Sequence, residues 1–213
     1  MSAPGTEARP AIAGHCAEGL EGIRSAFARN FTESVELGAA LAVVRGDEVL
    51  LALHGGWRDP QGPDPWTADT LVNVYSTSKG VTALVLADLA DAGLVDFDAR
   101  VADYWPEFAA AGKDAVTVAE LLTHQAGLPG LDEPVTVEDL CEHEALAARL
   151  AAATPRWPPG TAVGYHPILW GMLAGELCLR ASGETLGAHL ARRAAALGAD
   201  VHLGLADAEH GRC

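Results

Sequence analysis

Two β-prone runs lie side by side near the start of the chain, and helical patterns dominate everything after them. Residues 39–44 (AALAVV) and 49–53 (VLLAL) flank Arg45, Gly46, Asp47 and Glu48, a Gly-Asp turn that closes an antiparallel hairpin. Two strands alone are marginal in water, and a sheet needs a third strand or a covering layer. The hairpin is therefore part of a sheet that something else must complete. A Gly/Pro-rich loop follows over 54–65, and a short extended piece over 71–75.

The helices are read from apolar spacing and from their ends. One is predicted over 18–30, with Leu20, Ile23 and Phe27 on one face. A stronger one runs over 76–92 and carries Val81, Leu84, Val85, Leu86 and Leu89, which predicts a central helix buried on most sides. Gly93 followed by Leu94 fits a glycine cap with its apolar contact. Thr117 with Glu120 is a capping box, and Thr136 with Asp139 is a looser one. An alanine-rich helix covers 142–152, a rigid Pro/Gly turn covers 155–160, and helices follow over 168–181 and 185–197. The Pro/Gly/Ala-rich start predicts a flexible arm over 1–16 and one domain over 17–213.

Composition removes several function classes. Twenty-nine acidic residues against 14 basic ones leave a formal charge of −15 over 213 residues, which repels phosphate backbones and anionic membrane faces. Neither a nucleic-acid nor a membrane partner is expected. No apolar run approaches the roughly 18–20 residues of a membrane span, since the best one, over 167–179, is broken by Gly171, Gly175 and Glu176. The first residues lack the charged start and apolar stretch of a secretory signal. Cys16, Cys141, Cys178 and Cys213 are widely spaced, which predicts reduced thiols in a cytoplasmic protein and neither a metal site nor a disulfide frame.

Motifs narrow the chemistry further. No serine sits in a G-x-S-x-G elbow, and H-E-x-x-H, G-x-x-x-x-G-K and G-x-G-x-x-G after a strand are all missing. What stands out is Ser76 and Lys79, an S-x-x-K at a helix start in a chain with two lysines. Positions i and i+3 share a helix face, so the amine can approach the hydroxyl. A serine with a neighbouring base is the recipe for an acyl-enzyme nucleophile. The same four residues also read as a serine N-cap followed by a solvated lysine.

VYSTSKGVTA (74–83), AGLVDFD (92–98), YWPEF (104–108) and LLTHQAGL (121–128), followed by WPPGT (157–161), GYH (164–166) and GMLAGE (171–176), resemble successive blocks of the serine β-lactamase-like superfamily. Within it the chain resembles the carboxylesterase branch, the β-lactamase-fold esterases. The resemblance implies an α+β, β-lactamase/transpeptidase-like fold: a mostly helical lobe plus the N-terminal hairpin of an incomplete antiparallel sheet. It implies Ser76 as nucleophile, Lys79 as its base partner, and Tyr165 as the tyrosine of a Y-x-N or Y-x-x motif, acting by acyl transfer on a small-molecule ester. No metal or organic cofactor is implied. His166 reads either as a substrate-pocket residue or as one that does not line it, and Trp157 reads either as a packing residue or, from its place in a family loop near the cleft, as a substrate contact. His124 reads either as a substrate contact or as a ring bonded to a loop backbone, and Tyr165 by itself would read as an ordinary half-buried tyrosine.

The chain departs from this pattern twice. Pro167 stands where the β-lactamase version has asparagine, which shifts the expected substrate towards simple esters and away from β-lactams or D-Ala-D-Ala peptides. No third motif of the K-T-G, H-x-G or W-x-G type precedes Cys213. By analogy that strand carries one of two oxyanion donors, worth about 10²–10³ in turnover. The expectation is an N-terminal portion of such an enzyme whose unpaired sheet edge invites self-association or a partner chain. The competing expectation is a catalytically incomplete fragment that serves as a binding or assembly module.

Overall fold

A computed structural model describes residues 11–34, 36–61 and 64–213 of the chain. It divides into two units, one of residues up to Asn73 together with Ala206–Cys213, the other of Val74–Leu205.

The first unit holds the sheet. Strands β1 (Ala13–Cys16), β2 (Gly38–Arg45) and β3 (Glu48–Gly56) are antiparallel in the order β1-β3-β2. The predicted hairpin is β2 and β3, in a register that places Leu41 opposite Leu53, with an irregularity between Val43 and Val44. Helix α1 (Glu21–Glu33) lies against this sheet, where Phe27 is buried with Leu51 and Leu53, flanked by Ile12, Leu20 and Phe31.

Two expectations are corrected here. Over 11–16, where a loose arm is predicted, Ala13–Cys16 pairs with β3 and supplies the third strand that a hairpin needs. Its ladder is made of backbone groups, and Gly14 at φ +107 comes so close to β3 that a Cβ would sit 1.9 Å from the Ala52 carbonyl oxygen. Arg24 of α1 adds a hydrogen bond to the Ile12 carbonyl at 3.0 Å. Residues 1–10 of the predicted arm lie outside the described residues. Helix α1 also starts later than predicted, because Gly19 at φ +86 holds the chain in a turn that closes with Leu20 N–H on the Ala17 carbonyl.

The second unit is helical: α2 (Thr77–Asp91), α3 (Val101–Tyr104), a 3-10 segment (Pro106–Gly112), α4 (Val118–Leu122), α5 (Val137–Cys141), α6 (His143–Ala152), α7 (Leu169–Ser182) and α8 (Leu186–Leu197). Its core joins Leu86 and Leu89 of α2 to Trp105, Phe108, Leu121, Leu146, Leu150, Leu173 and Leu177. α2 ends as its sequence predicts. Gly93 N–H bonds the Ala90 carbonyl and Leu94 N–H bonds that of Leu89, the two bonds of a Schellman cap. Both predicted capping boxes form, with Thr117 and Glu120 at 2.9 and 3.1 Å and Thr136 and Asp139 at 2.8 and 3.2 Å. The prediction that α2 is buried on most sides is corrected: Val85, Leu86 and Leu89 face the core, while Leu84 is 70% exposed. Its apolar residues outnumber the face that α7 and α8 cover. Among the described residues no helix is long and apolar enough to cross a membrane.

Candidate active site

All of the candidate residues belong to the second unit. Ser76 is the N-cap of α2, yet its backbone is already helical (φ −68, ψ −9) and its side chain caps nothing. The hydroxyl is thus not spent on the helix end, which sets aside the reading of Ser76 as a plain N-cap. Lys79, one turn on, donates from Nζ to Ser76 Oγ at 3.1 Å and to the Pro167 carbonyl oxygen at 2.7 Å. Tyr165 reaches the same serine from the far loop and donates from its hydroxyl to Ser76 Oγ at 2.7 Å. Lys79 Nζ also lies 5.0 Å from the centre of the Tyr165 ring and 5.9 Å from that of Trp170.

The electrostatics follow from these contacts. Hydrogen bonding with the Ser76 hydroxyl, then with Lys79, holds the Tyr165 phenol below its ordinary pKa, since both can donate to a phenolate. A hydroxyl held between a phenol and an amine is placed to lose its proton as its oxygen attacks a carbonyl carbon. Tyr75, just before the serine, sits at φ +46, a conformation that non-glycine residues seldom adopt. A cavity of about 400 Å³ opens beside Ser76 and Lys79, with Ile168, Trp170, Leu186 and Leu203 on its apolar walls.

The three expected pocket residues are placed differently from one another. His166 is fully buried, and both ring nitrogens are used within the protein: Nε2 accepts from Leu128 N–H at 2.9 Å and Nδ1 bonds the Gly164 carbonyl. Its expected contact with substrate is corrected to a role in holding the loop, and desolvation first of all lowers its pKa and keeps it neutral. Trp157 is half-buried, donates from Nε1 to the Ala162 carbonyl at 3.0 Å, and packs its ring on Gly164, where a Cβ would lie 2.3 Å from the ring. It too supports the tyrosine loop. His124, at φ +65, accepts the His166 N–H at 3.1 Å through Nδ1 and lies 4.8 Å, centre to centre, from the Tyr165 ring. Burial, then the charge of Lys79, lowers its pKa.

The Pro167 carbonyl is a site group that residue patterns did not reveal. It is a main-chain acceptor, and the only sequence signal was the proline's place two residues after the tyrosine. Among the described residues no cluster of His, Cys, Asp and Glu is arranged to hold a metal ion.

The Beta-lactamase family model matches residues 27–213. The chain is 41% identical over 161 residues to Esterase/beta-lactamase LipL of Mycobacterium tuberculosis, a match that spans 76% of this chain and 37% of that protein. It is 30% identical over 170 residues to Esterase EstB of Burkholderia gladioli, spanning 71% of this chain and 43% of that one. Among solved structures, a family VIII carboxylesterase superposes with a TM-score of 0.90 at 46% identity, covering 95% of this chain and 56% of the other. A penicillin-binding protein homologue from Caulobacter crescentus gives 0.91 at 43% identity, covering 95% and 55%. The chain thus spans about two-fifths of these curated relatives and just over half of these solved structures. With its helical unit, its antiparallel sheet and a family match over nearly all of its length, the chain belongs to the beta-lactamase family and has the β-lactamase/transpeptidase-like fold.

Proposed function

We propose that this chain carries the nucleophile and base of a serine hydrolase acting on carboxylic esters through an acyl-enzyme. The observation that carries the reading is the convergence of Tyr165 Oη and Lys79 Nζ on Ser76 Oγ, at 2.7 and 3.1 Å. In this reading the Tyr165 oxygen, as phenolate, takes the hydroxyl proton while Oγ bonds to the ester carbonyl carbon. The Lys79 ammonium, anchored on the Pro167 carbonyl, stabilises the phenolate and the developing negative charge. The tetrahedral intermediate collapses with cleavage of the C–O bond to the alcohol, which leaves with the proton held by Tyr165. Water then attacks the acyl-enzyme with the same groups in reverse order, releases the acid and restores the serine.

The apolar walls of the cavity, from Ile168, Trp170, Leu186 and Leu203, suit an uncharged ester. Similarity to proteins named as esterases supports the same class. The test is fluorophosphonate labelling read by intact mass and peptide mapping, alongside hydrolysis of short-chain aryl esters. One adduct on Ser76, lost together with ester turnover in Ser76→Ala, is the expected result. Ester turnover that survives Ser76→Ala overturns the proposal, and a chromogenic cephalosporin opened as fast as the esters are cleaved overturns the choice of substrate.

A further inference from the structure

We infer that His124 is a positioning residue for Tyr165, gripping the backbone on both sides of the tyrosine with its ring and its carbonyl. The inference rests on the ester-hydrolase reading above and assigns a role in it to a residue that does not touch Ser76 in this geometry.

The grip starts at the end of helix α4. Its last turn closes as a Schellman cap: His124 N–H bonds the Leu121 carbonyl at 3.3 Å and Gln125 N–H bonds that of Glu120 at 2.8 Å. His124 occupies the left-handed position of that cap, at φ +65, where helices ordinarily place glycine or asparagine. Two acceptors of His124, its carbonyl oxygen and its ring Nδ1, are both used on one other segment. The His124 carbonyl oxygen accepts the Gly164 N–H at 3.1 Å, and its Nδ1 accepts the His166 N–H at 3.1 Å. The left-handed backbone brings both acceptors onto the same segment, one on each side of Tyr165, while the imidazole lies against the Tyr165 ring. His166 reinforces the grip by returning its own ring to the Gly164 carbonyl and the Leu128 N–H.

The arrangement dictates the protonation state of the ring. Nδ1 must keep its lone pair to accept the His166 N–H, so the proton of a neutral ring sits on Nε2. The titratable groups facing the ring are Lys79 from α2 and Tyr165 and His166 from the loop; Trp170 of α7 adds an uncharged ring. Protonating Nδ1 would break the bond to His166 and set a second cation near Lys79. His124 thus holds the Tyr165 hydroxyl at its 2.7 Å distance from Ser76 only while neutral.

Two substitutions separate this role from simple support of the fold. His124→Gly suits the left-handed backbone but removes the ring acceptor, and His124→Asn suits it and offers Oδ1 in place of Nδ1. Displacing a reacting group by about 1 Å costs roughly 10²-fold. His124→Gly is therefore expected to lower kcat for aryl esters about 30- to 100-fold with KM changed less than about threefold, and His124→Asn to recover most of that loss. In a Tyr165→Phe background His124→Gly is expected to add little, because the group it positions is already gone. A glycine variant with wild-type kcat, an asparagine variant no better than glycine, or a full additional loss on Tyr165→Phe overturns the inference. Should the glycine variant not fold, nitrogen NMR of the wild-type imidazole decides: Nε2–H with an acceptor Nδ1 supports the assignment, and Nδ1–H overturns it. If Ser76→Ala and Tyr165→Phe leave turnover intact, the ester-hydrolase reading itself has failed. If those two abolish turnover while the His124 variants behave otherwise, the inference alone has failed.

Discussion

The carbonyl oxygen of Pro167 lies 2.7 Å from Nζ of Lys79, so the loop that carries Tyr165 also fastens the amine of the helix that carries Ser76. The contact uses the main chain of residue 167 and asks nothing of its side chain. Pro167→Ala is accordingly expected to keep aryl-ester turnover within about threefold of wild type, at a cost in stability below about 1 kcal/mol from the added freedom of the unfolded chain. Lys79→Met removes the amine itself and is expected to lower kcat about 10²- to 10⁴-fold. Steady-state kinetics on the two variants checks the pair, and a loss in Pro167→Ala as large as that in Lys79→Met would contradict it.

The pH dependence follows from Tyr165. Its phenol is held below its ordinary value first by the hydrogen bond with Ser76 and then by Lys79. With the phenolate as base, kcat/KM rises with pH through that lowered pKa, at a pH below the ordinary tyrosine value of about 10. Lys79→Met removes one downward influence, so the rising limb is expected to move to higher pH in whatever turnover remains. In Ser76→Ala the larger influence is removed, and the phenol, followed by its ultraviolet difference absorbance against Ser76→Ala/Tyr165→Phe, is expected to titrate higher than in wild type. A limb that stays in place in Lys79→Met would show that another group is being titrated.

Gly164 and Trp157 make a prediction about packing. A Cβ on Gly164 would lie 2.3 Å from the Trp157 ring, and the Gly164 N–H is already bonded to the His124 carbonyl. Gly164→Ala must push the indole aside or move the loop that carries Tyr165. A stability loss of about 1–3 kcal/mol is expected by analogy with overpacked cores. Turnover is expected to fall about tenfold or more through displacement of the tyrosine. Trp157→Leu on the same background makes room for the methyl group and is expected to restore part of the turnover. Denaturant melts and kinetics on the single and double variants measure both effects.

Side chains that act locally were legible in the sequence, and backbone that acts at a distance was not. Ser76 and Lys79 share one helical turn, and the Thr117–Glu120 and Thr136–Asp139 boxes close within four residues, so spacing alone could locate them. Tyr165 came from resemblance to a family block, since no local rule ties it to a serine 89 positions away. Strand β1 escaped because its four residues, AGHC, carry no alternating apolar pattern. Its place in the sheet comes from backbone pairing and from the room that Gly14 leaves for Ala52. His166 adjoins Tyr165 in sequence yet turns its ring into the core, which adjacency alone could not tell from a ring that faces the cavity. The exposure of Leu84 likewise depends on how much of α2 its neighbours cover, a tertiary quantity that helical periodicity does not contain.

Lys113 gives a prediction of stability apart from the active site. It is fully buried, donates from Nζ to the Ala110 carbonyl at 2.7 Å and the Ala153 carbonyl at 2.5 Å, and lies 5.3 Å from the centre of the Phe108 ring. The ammonium thus joins the turn at Ala111, whose φ is +57, to the C-cap of α6. Lys113→Ala leaves a cavity and two carbonyls without their donor, and a loss of about 2–5 kcal/mol is expected. Lys113→Met keeps most of the volume, so about 1–3 kcal/mol is expected from the carbonyls alone. Desolvation lowers the pKa of Lys113 in the folded protein. Between that lowered value and the unfolded lysine value of about 10.4 the unfolded chain binds more protons, so stability gains from this residue as pH rises through that window. The favourable contribution is complete above the unfolded value and is lost as pH falls through the folded one. Urea melts across alkaline pH are expected to show this rise in the wild type, and to show it reduced in Lys113→Met by the share that Lys113 supplies. Equal slopes in the two proteins would mean that Lys113 titrates in the folded state as it does in the unfolded chain.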